Sequence, residues 1–362
     1  MKIGILSMQK ILNYGSFLQA FSLKHQLEKR GGEVYFIDIK QGRTIIENSS
    51  DSQKINYASK FDKYFLKRIE HYLMGKKMNA IHTDDHKRYL ETDKALPQSE
   101  KFDLAVIGSD EVFNATVPSR WGFSTQLFGK IDNAKHVVTY AASCGSTSFE
   151  DAQKYGIVDE LREATSNLEN VSVRDANSKE FVERITGKIP EVNVDPVFLT
   201  DYDEFLPVVK RKKPFMIVYA YPNRITNEEE IQAIKSYAKK NGLDIVCVGN
   251  HQRWCKHNIP ANAFELLGYF KAAQCVVTDT FHGTVFSIKY NKKFVTFVRE
   301  SNYNKLFGLL DTFCLTERIA NKPSELEDVM NKKLDFDVVN ERIKSEQERS
   351  FEYLDKICAL ED

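Results

Sequence analysis

The sequence has no apolar run approaching the ~18 residues that a membrane span requires. Its first residues, Met1 to Ser7, are apolar over too short a stretch for a secretory leader and lead straight into polar ones. A soluble chain kept in the cytoplasm is expected. Excess charge is lacking as well. Lys plus Arg and Asp plus Glu both number 51, so no net field draws the chain to nucleic acid, and no nucleic-acid motif is present. The six cysteines (Cys144, Cys247, Cys255, Cys275, Cys314, Cys358) lie far apart and never form a C-x-x-C pair, which argues against a zinc site or a redox dithiol. They read as reduced, structural thiols. Metal-ligand patterns are equally scarce. His82 and His86 have i, i+4 spacing, but they stand in a charged segment with no third ligand nearby and read as a solvated helix face. There is no internal repeat and no low-complexity segment.

What is present is an alternating rhythm over 362 residues, a length beyond the ~250 to 300 at which single cores stop growing. Apolar runs rich in β-branched and aromatic residues occur at 2–7, 33–39, 103–108, 136–142 and 170–173. Phe17, Ala20, Phe21, Leu23 and Leu27 follow helical spacing before Gly31-Gly32, so the first unit reads strand, turn, helix, strand. Such a βαβ unit implies a parallel sheet. Residues from about 43 to 100 break the rhythm with a polar, helix-prone insertion carrying Phe61, Tyr64, Phe65 and Leu73. A second series has strands at 215–220, 243–249, 274–278 and 294–298 and helices near 226–241 and 261–272. The link is placed near 196–212, where Asp195-Pro196 and Pro207 punctuate the pattern. The expected organisation is therefore an α/β first domain over 1–200, an α/β second domain over 201–335, and a helix over 336–362 that packs back on the first. Two Rossmann-like domains facing each other would gather the loops at their strands' carboxyl ends, where open α/β sheets bind ligands.

Four stretches stand at such strand ends. Asn13-Tyr14-Gly15-Ser16 follows the first strand and opens a helix, so its backbone N–H groups suit an anion or a sugar hydroxyl. Gly108-Ser109-Asp110-Glu111-Val112-Phe113-Asn114 ends another strand, as does Ser172-Val173-Arg174-Asp175. Thr278-Asp279-Thr280-Phe281-His282-Gly283-Thr284 leaves a strand and enters a helix at Gly283. Taken singly, each has a plain structural reading: a turn with a helix cap, a surface ion pair, a satisfied core histidine. Their combination in this order is far more specific.

At these residues the chain resembles the polysaccharide pyruvyl transferase family. The matching pieces are Asn13 to Ala20 (N-Y-G-S-F-L-Q-A), Gly108 to Asn114 (G-S-D-E-V-F-N), Ser172 to Asp175 (S-V-R-D), Asp195 to Leu199 (D-P-V-F-L) and Thr278 to Ile288 (T-D-T-F-H-G-T-V-F-S-I). The resemblance implies two facing Rossmann-like domains of the GT-B kind, phosphoenolpyruvate as donor and a glycan as acceptor, with no cofactor. It also implies that Arg174 and His282 meet the donor. Relatives often carry Arg where this chain has Thr280, and Gln and Trp where it has Glu111 and Phe113.

Phosphoenolpyruvate presents a carboxylate and a phosphate, which call for a guanidinium fork and N–H donors, here Arg174 and the helix start at Gly283-Thr284. Metal is not required by this logic. His282 is the best acid or base, and Asp110 a weaker candidate for orienting or deprotonating the acceptor. Ser109, Glu111, Asn114 and Thr280 complete the expected substrate-binding set with the Asn13 to Ser16 turn. Arg299 and Lys305 follow the strand at 294–298 and are the cations placed to offset the missing Arg at Thr280. A lipid-linked acceptor would bring the chain to the inner face of a membrane. Two other readings stay open: a nucleotide-sugar-dependent glycosyltransferase on the same architecture, and a glycan-binding relative without catalysis.

Overall fold

The computed structural model describes residues 1–46, 65–92, 96, 100–116, 121–222, 224–299 and 302–360. The chain divides into two compact units, Met1–Glu47 with His86–Asp201 and Asn340–Asp362, and Asn48–Asp85 with Tyr202–Val339. In chain order the first is built from β1 (Lys2–Leu6), α1 (Tyr14–Glu28), β2 (Glu33–Phe36), the end of α2 (Phe65–Leu90), β3 (Phe102–Asp110), β4 (Ala134–Ala142), α3 (Phe149–Lys154), α4 (Val158–Thr165), β5 (Ser172–Val173), α5 (Ala176–Thr186) and β6 (Glu191–Val192). Its strands form one parallel sheet in the order β2-β1-β3-β4-β5-β6. Parallel strands are covered on both faces and so read as continuous apolar runs. β3 illustrates this, being buried throughout except at Asp103 and at Asp110, where it ends. The order reverses at β1 and β3, and connections leaving a sheet in opposite directions open a crevice at the carboxyl ends of those two strands.

The second unit continues with β7 (Phe215–Tyr219), α6 (Glu228–Lys240), β8 (Asp244–Val248), β9 (His257–Ile259), α7 (Ala263–Ala272), β10 (Cys275–Thr278), α8 (Phe281–Lys289), β11 (Lys293–Phe297), α9 (Tyr303–Thr312), β12 (Ile319–Ala320) and α10 (Leu326–Asn331). Its parallel sheet runs β12-β11-β10-β7-β8-β9. The reversal here falls between β7 and β10, which places this unit's crevice beside Tyr219 and the Thr278 to Thr284 stretch. Both sheets are Rossmann-like, as the alternating rhythm implied.

The last helix, α11 (Phe336–Cys358), packs on the first unit from Asn340 onward. The Tyr353 hydroxyl donates to the Thr139 carbonyl at 2.7 Å, and Ser350 Oγ accepts the Val194 N–H at 3.1 Å. Of the expected insertion, Phe61 and Tyr64 lie outside the described residues. Within them, α2 groups with the second unit through Asp85. His82 and His86 do not lie on a solvated face, because both are buried, as is Asp85 between them. The reason is packing specific to this fold: Asp85 accepts the first N–H of α7, from Ala263 at 2.9 Å, and His86 lies 5.2 Å from the Phe17 ring. Among the described residues no helix is long and apolar enough to cross a membrane.

Candidate functional site

The first unit's crevice begins where β1 hands over to α1. Asn13 is the N-cap, extended at φ −145°, and its side chain accepts the Ser16 N–H at 2.8 Å. Tyr14, Gly15 and Ser16 form the buried first turn. Ser16 then reaches across to β3 and donates from Oγ to Asp110 Oδ2 at 2.5 Å. Asp110 closes β3 in a left-handed conformation, φ +76°, and its Oδ1 accepts the Glu111 N–H at 2.9 Å. Such backbone is costly for a non-glycine residue and is held in place by its surroundings. Glu111 accepts from Asn114 Nδ2 at 2.8 Å, and Asn114 Oδ1 accepts the Thr147 hydroxyl at 2.8 Å. Gly145 lies against this pair at φ +61°. A Cβ there would fall 2.6 Å from Asn114 Nδ2 and 2.7 Å from Glu111 Oε2, so a side chain would displace this hydrogen-bonded pair besides being strained at that φ. Ser109, the preceding residue, is fully buried. Phe113 is buried too, stacked on Phe128 with ring centres 5.1 Å apart.

Arg174 leaves β5 toward the same edge. Its side chain is 5% exposed and donates from Nη1 to Asp195 Oδ2 at 3.1 Å, with Asp195 1% exposed. Gln19 of α1 donates to that same oxygen, and Asp195 Oδ1 takes the Val197 N–H at 3.0 Å. Burial works against the Arg174 charge, but the carboxylates of Asp195, Asp175, Asp110 and Glu111 more than offset it and hold the guanidinium above its ordinary value. Asp175 caps α5 and also accepts the Ser143 hydroxyl at 2.7 Å. Gln19, Asp175 and Asp195 were not singled out from sequence. Each lies inside a stretch that carried the family resemblance, and that was their signal.

In the second unit Thr280 is the N-cap of α8, and its Oγ1 accepts the Gly283 N–H at 3.0 Å. The Thr284 N–H bonds to the Thr280 carbonyl at 3.2 Å, so both N–H groups expected to meet an anion are engaged within the helix start. Thr284 Oγ1 also donates to the Thr280 carbonyl, at 3.0 Å. A threonine here supplies a cap that an arginine cannot. Gly283 permits close approach of α8 to the sheet, since a Cβ would fall 2.1 Å from Thr278 Oγ1 and 2.8 Å from the Tyr219 ring. His282 is half-buried in the first turn, 5.3 Å from the Phe281 ring and 5.9 Å from Phe286.

Arg299 forks onto Glu230 of α6, with Nη1 to Oε1 at 2.6 Å and Nη2 to Oε2 at 3.1 Å, and its Nε donates to Asp279 Oδ2 at 3.3 Å. The hydrogen bonds to Glu230 outweigh burial and raise its affinity for the proton. Its charge is matched by two carboxylates inside the unit. Asp279 is fully buried, and burial pushes its carboxyl above the ordinary range despite Arg299 and Arg224. Lys305 is half-buried on the third residue of α9. Glu230 had no sequence signal, being one of three successive glutamates opening α6. Among the described residues no group of three or more His, Cys, Asp or Glu side chains is placed to hold a metal ion.

A family model described as polysaccharide pyruvyl transferase matches residues 13–301. No curated protein matches the chain. Among solved structures, it is similar to a UDP-GlcNAc 2-epimerase from Methanocaldococcus jannaschii at 12% identity, covering 92% of this chain and 94% of that one with a TM-score of 0.47. It is also similar to a UDP-GlcNAc 2-epimerase from Neisseria meningitidis bound to UDP-GlcNAc, at 11% identity, 100% and 95% coverage and a TM-score of 0.47. A glycosyltransferase from Streptomyces sp. SF2575 complexed with thymidine diphosphate is similar at 14% identity, 99% and 98% coverage and a TM-score of 0.43.

Proposed function

We propose, from the premise that this chain belongs to the polysaccharide pyruvyl transferase family, that it moves the pyruvyl group of phosphoenolpyruvate onto two hydroxyls of a sugar in polysaccharide biosynthesis. The observation that carries this reading is the extent of the match. It runs from Asn13 through Asp110 and Arg174 to His282 and Arg299, and so takes in the strand-end residues of both crevices.

In the proposed reaction a proton adds to the methylene carbon of phosphoenolpyruvate and leaves a cationic carbon beside the bridging oxygen. A sugar hydroxyl attacks that carbon, the carbon–oxygen bond to phosphorus breaks, and phosphate leaves. A second hydroxyl closes the ketal. One hydroxyl proton balances the one delivered to carbon and the other departs with phosphate, so donor plus diol gives ketal plus inorganic phosphate. His282 is assigned to the proton transfer, because an imidazole titrates near the working pH and such transfer typically contributes ~10²- to 10⁴-fold. Lys305 and the positive end of α8 are assigned to the donor's charge. Arg299, engaged by Glu230 and Asp279, is assigned to holding the β10 to α8 turn. Asp110 is assigned to the acceptor hydroxyl, which would compete for the oxygen now bonded to Ser16.

The test incubates the protein with phosphoenolpyruvate and a panel of free and lipid-linked glycans and measures phosphate release and ketal formation. His282→Gln is expected to lower the rate by ~10²- to 10⁴-fold. Release of a nucleoside diphosphate from a nucleotide sugar, with no phosphate from phosphoenolpyruvate, would replace this reading by the glycosyltransferase one.

A further inference from the structure

We infer that the exposed side of α2 is a membrane-docking surface, which lays this helix along a bilayer rich in anionic lipid. The inference is independent of the proposed reaction, since it concerns where the protein sits and not what it transforms.

A surface helix ordinarily buries one apolar stripe and turns a polar face to water. α2 meets the first condition. His71 lies with its Nδ1 3.2 Å from Nδ1 of His251, and Met78, His82 and Asp85 are buried at the spacing of one helical face. The opposite face does not meet the second. Ile69, Tyr72 and Leu73 stand at i, i+3 and i+4, form one ridge, and are 39%, 59% and 57% exposed. With about 3.6 residues per turn this ridge points about half a turn away from Met78, His82 and Asp85. The packing that buries one face therefore leaves the other outside. Single exposed apolar residues are ordinary, whereas a contiguous apolar patch marks a surface that something covers.

Charge identifies the occupant. Lys76 and Lys77 follow on the next turn, both exposed, and the Lys76 ammonium lies 4.8 Å from the centre of the Tyr72 ring. Over residues 65–82 the helix sequence carries Lys67, Arg68, Lys76 and Lys77 against Glu70 as its single acid, and Glu70 faces His251 Nε2 at 3.6 Å. An anionic lipid surface attracts such a basic segment. The core of a protein interface is instead depleted in lysine. Aliphatic side chains, a tyrosine with an apolar body and polar tip, and lysines whose stems run along apolar surface while their charges stay in water together match a helix lying at a bilayer interface.

The experiment measures sedimentation of the full chain with vesicles of phosphatidylcholine alone and with about a third phosphatidylglycerol. Binding to the anionic vesicles is expected to be at least about tenfold tighter and to weaken with added salt. Lys76→Gln with Lys77→Gln should weaken it about 30-fold, since each lysine near the surface contributes about fivefold, while Lys76→Arg with Lys77→Arg should retain it. Tyr72→Ser with Leu73→Ser should weaken it at least about tenfold. Leu73→Trp supplies a local reading, an added emission that shifts to shorter wavelength on anionic vesicles. Absence of binding to anionic vesicles overturns the inference. Binding unchanged in both the Gln and the Ser double variants also overturns it, because the contact then lies elsewhere. So does a dimer in sedimentation velocity that Tyr72→Ser with Leu73→Ser abolishes while vesicles are not bound, which would give the ridge to a second copy of the chain. Neither phosphoenolpyruvate nor a glycan is present, so failure of the proposed reaction would leave this result standing.

Discussion

Replacing Arg174 by leucine removes the guanidinium that faces Asp195 across 3.1 Å while keeping an apolar side chain in its place. Both partners are nearly excluded from solvent, at 5% and 1% exposure, so screening offers little relief. Breaking a buried pair by removing one member typically costs 3 to 5 kcal/mol, since the other charge is left behind uncompensated. Asp195 would retain the Gln19 amide and the Val197 N–H, which places the expected loss at the lower end, about 3 kcal/mol. For a unit of this size that corresponds to a fall in Tm of roughly 6 to 12 °C. Thermal unfolding followed by circular dichroism measures it. The companion variants are Asp195→Asn and the double change, and the double is expected to lose at least about 1 kcal/mol less than the sum of the singles. A loss below about 1 kcal/mol in Arg174→Leu, together with additive singles, would refute the view that this pair organises the crevice. Titration with phosphoenolpyruvate below the transition tests the donor contact that the resemblance implies, for which the expected loss is roughly 10- to 150-fold.

Gly283→Ala places a methyl group 2.1 Å from Thr278 Oγ1, which its bond to the Tyr219 carbonyl at 2.6 Å keeps from moving aside. Overpacking of about 1 to 3 kcal/mol is expected to exceed the ~1 kcal/mol gained in helix propensity. Gly75→Ala, with nothing within 4 Å of the new Cβ, should instead stabilise α2 slightly. A Gly283→Ala Tm at or above the native value would show that α8 does not approach the sheet this closely. A pH prediction comes from His71, whose Nδ1 lies 3.2 Å from His251 Nδ1. Burial, then the His251 and Arg253 charges, lower its pKa below the ordinary 6.5. The unfolded chain therefore takes up this proton first, and stability present above pH 6.5 should be lost as the pH falls through that value toward the folded one. His71→Gln should flatten this slope in denaturant melts run between pH 5 and pH 8, and an unchanged slope would remove His71 as its source.

Strands long enough to be buried on both faces announce themselves locally, which is why β1, β3, β4, β7, β8, β10 and β11 fall on apolar runs readable one residue after another. The same holds for the turn chemistry that caps α1 at Asn13, because a cap is settled within three residues, whereas α8 begins at Phe281 on a Thr280 cap, two residues before the expected start at Gly283. β6, β9 and β12 span only two or three residues and carry no periodic signal, so pairing with a neighbour alone defines them. Sheet order is likewise not written in any local pattern, and it is the reversals at β1/β3 and β7/β10 that locate the crevices. The partners of the polar residues were also beyond reach of the sequence. His82 and His86 read as a solvated face, whereas in the fold they are buried beside Asp85, which accepts the first N–H of α7 from Ala263. Arg299, legible as a cation at the right strand end, meets Glu230 from 69 positions away, and Ser16 meets Asp110 across 94. Backbone propensity and burial periodicity act over a few residues and survive in a linear string. Which charges cancel and which N–H groups are already engaged depend on contacts between distant segments, and only the folded chain decides them.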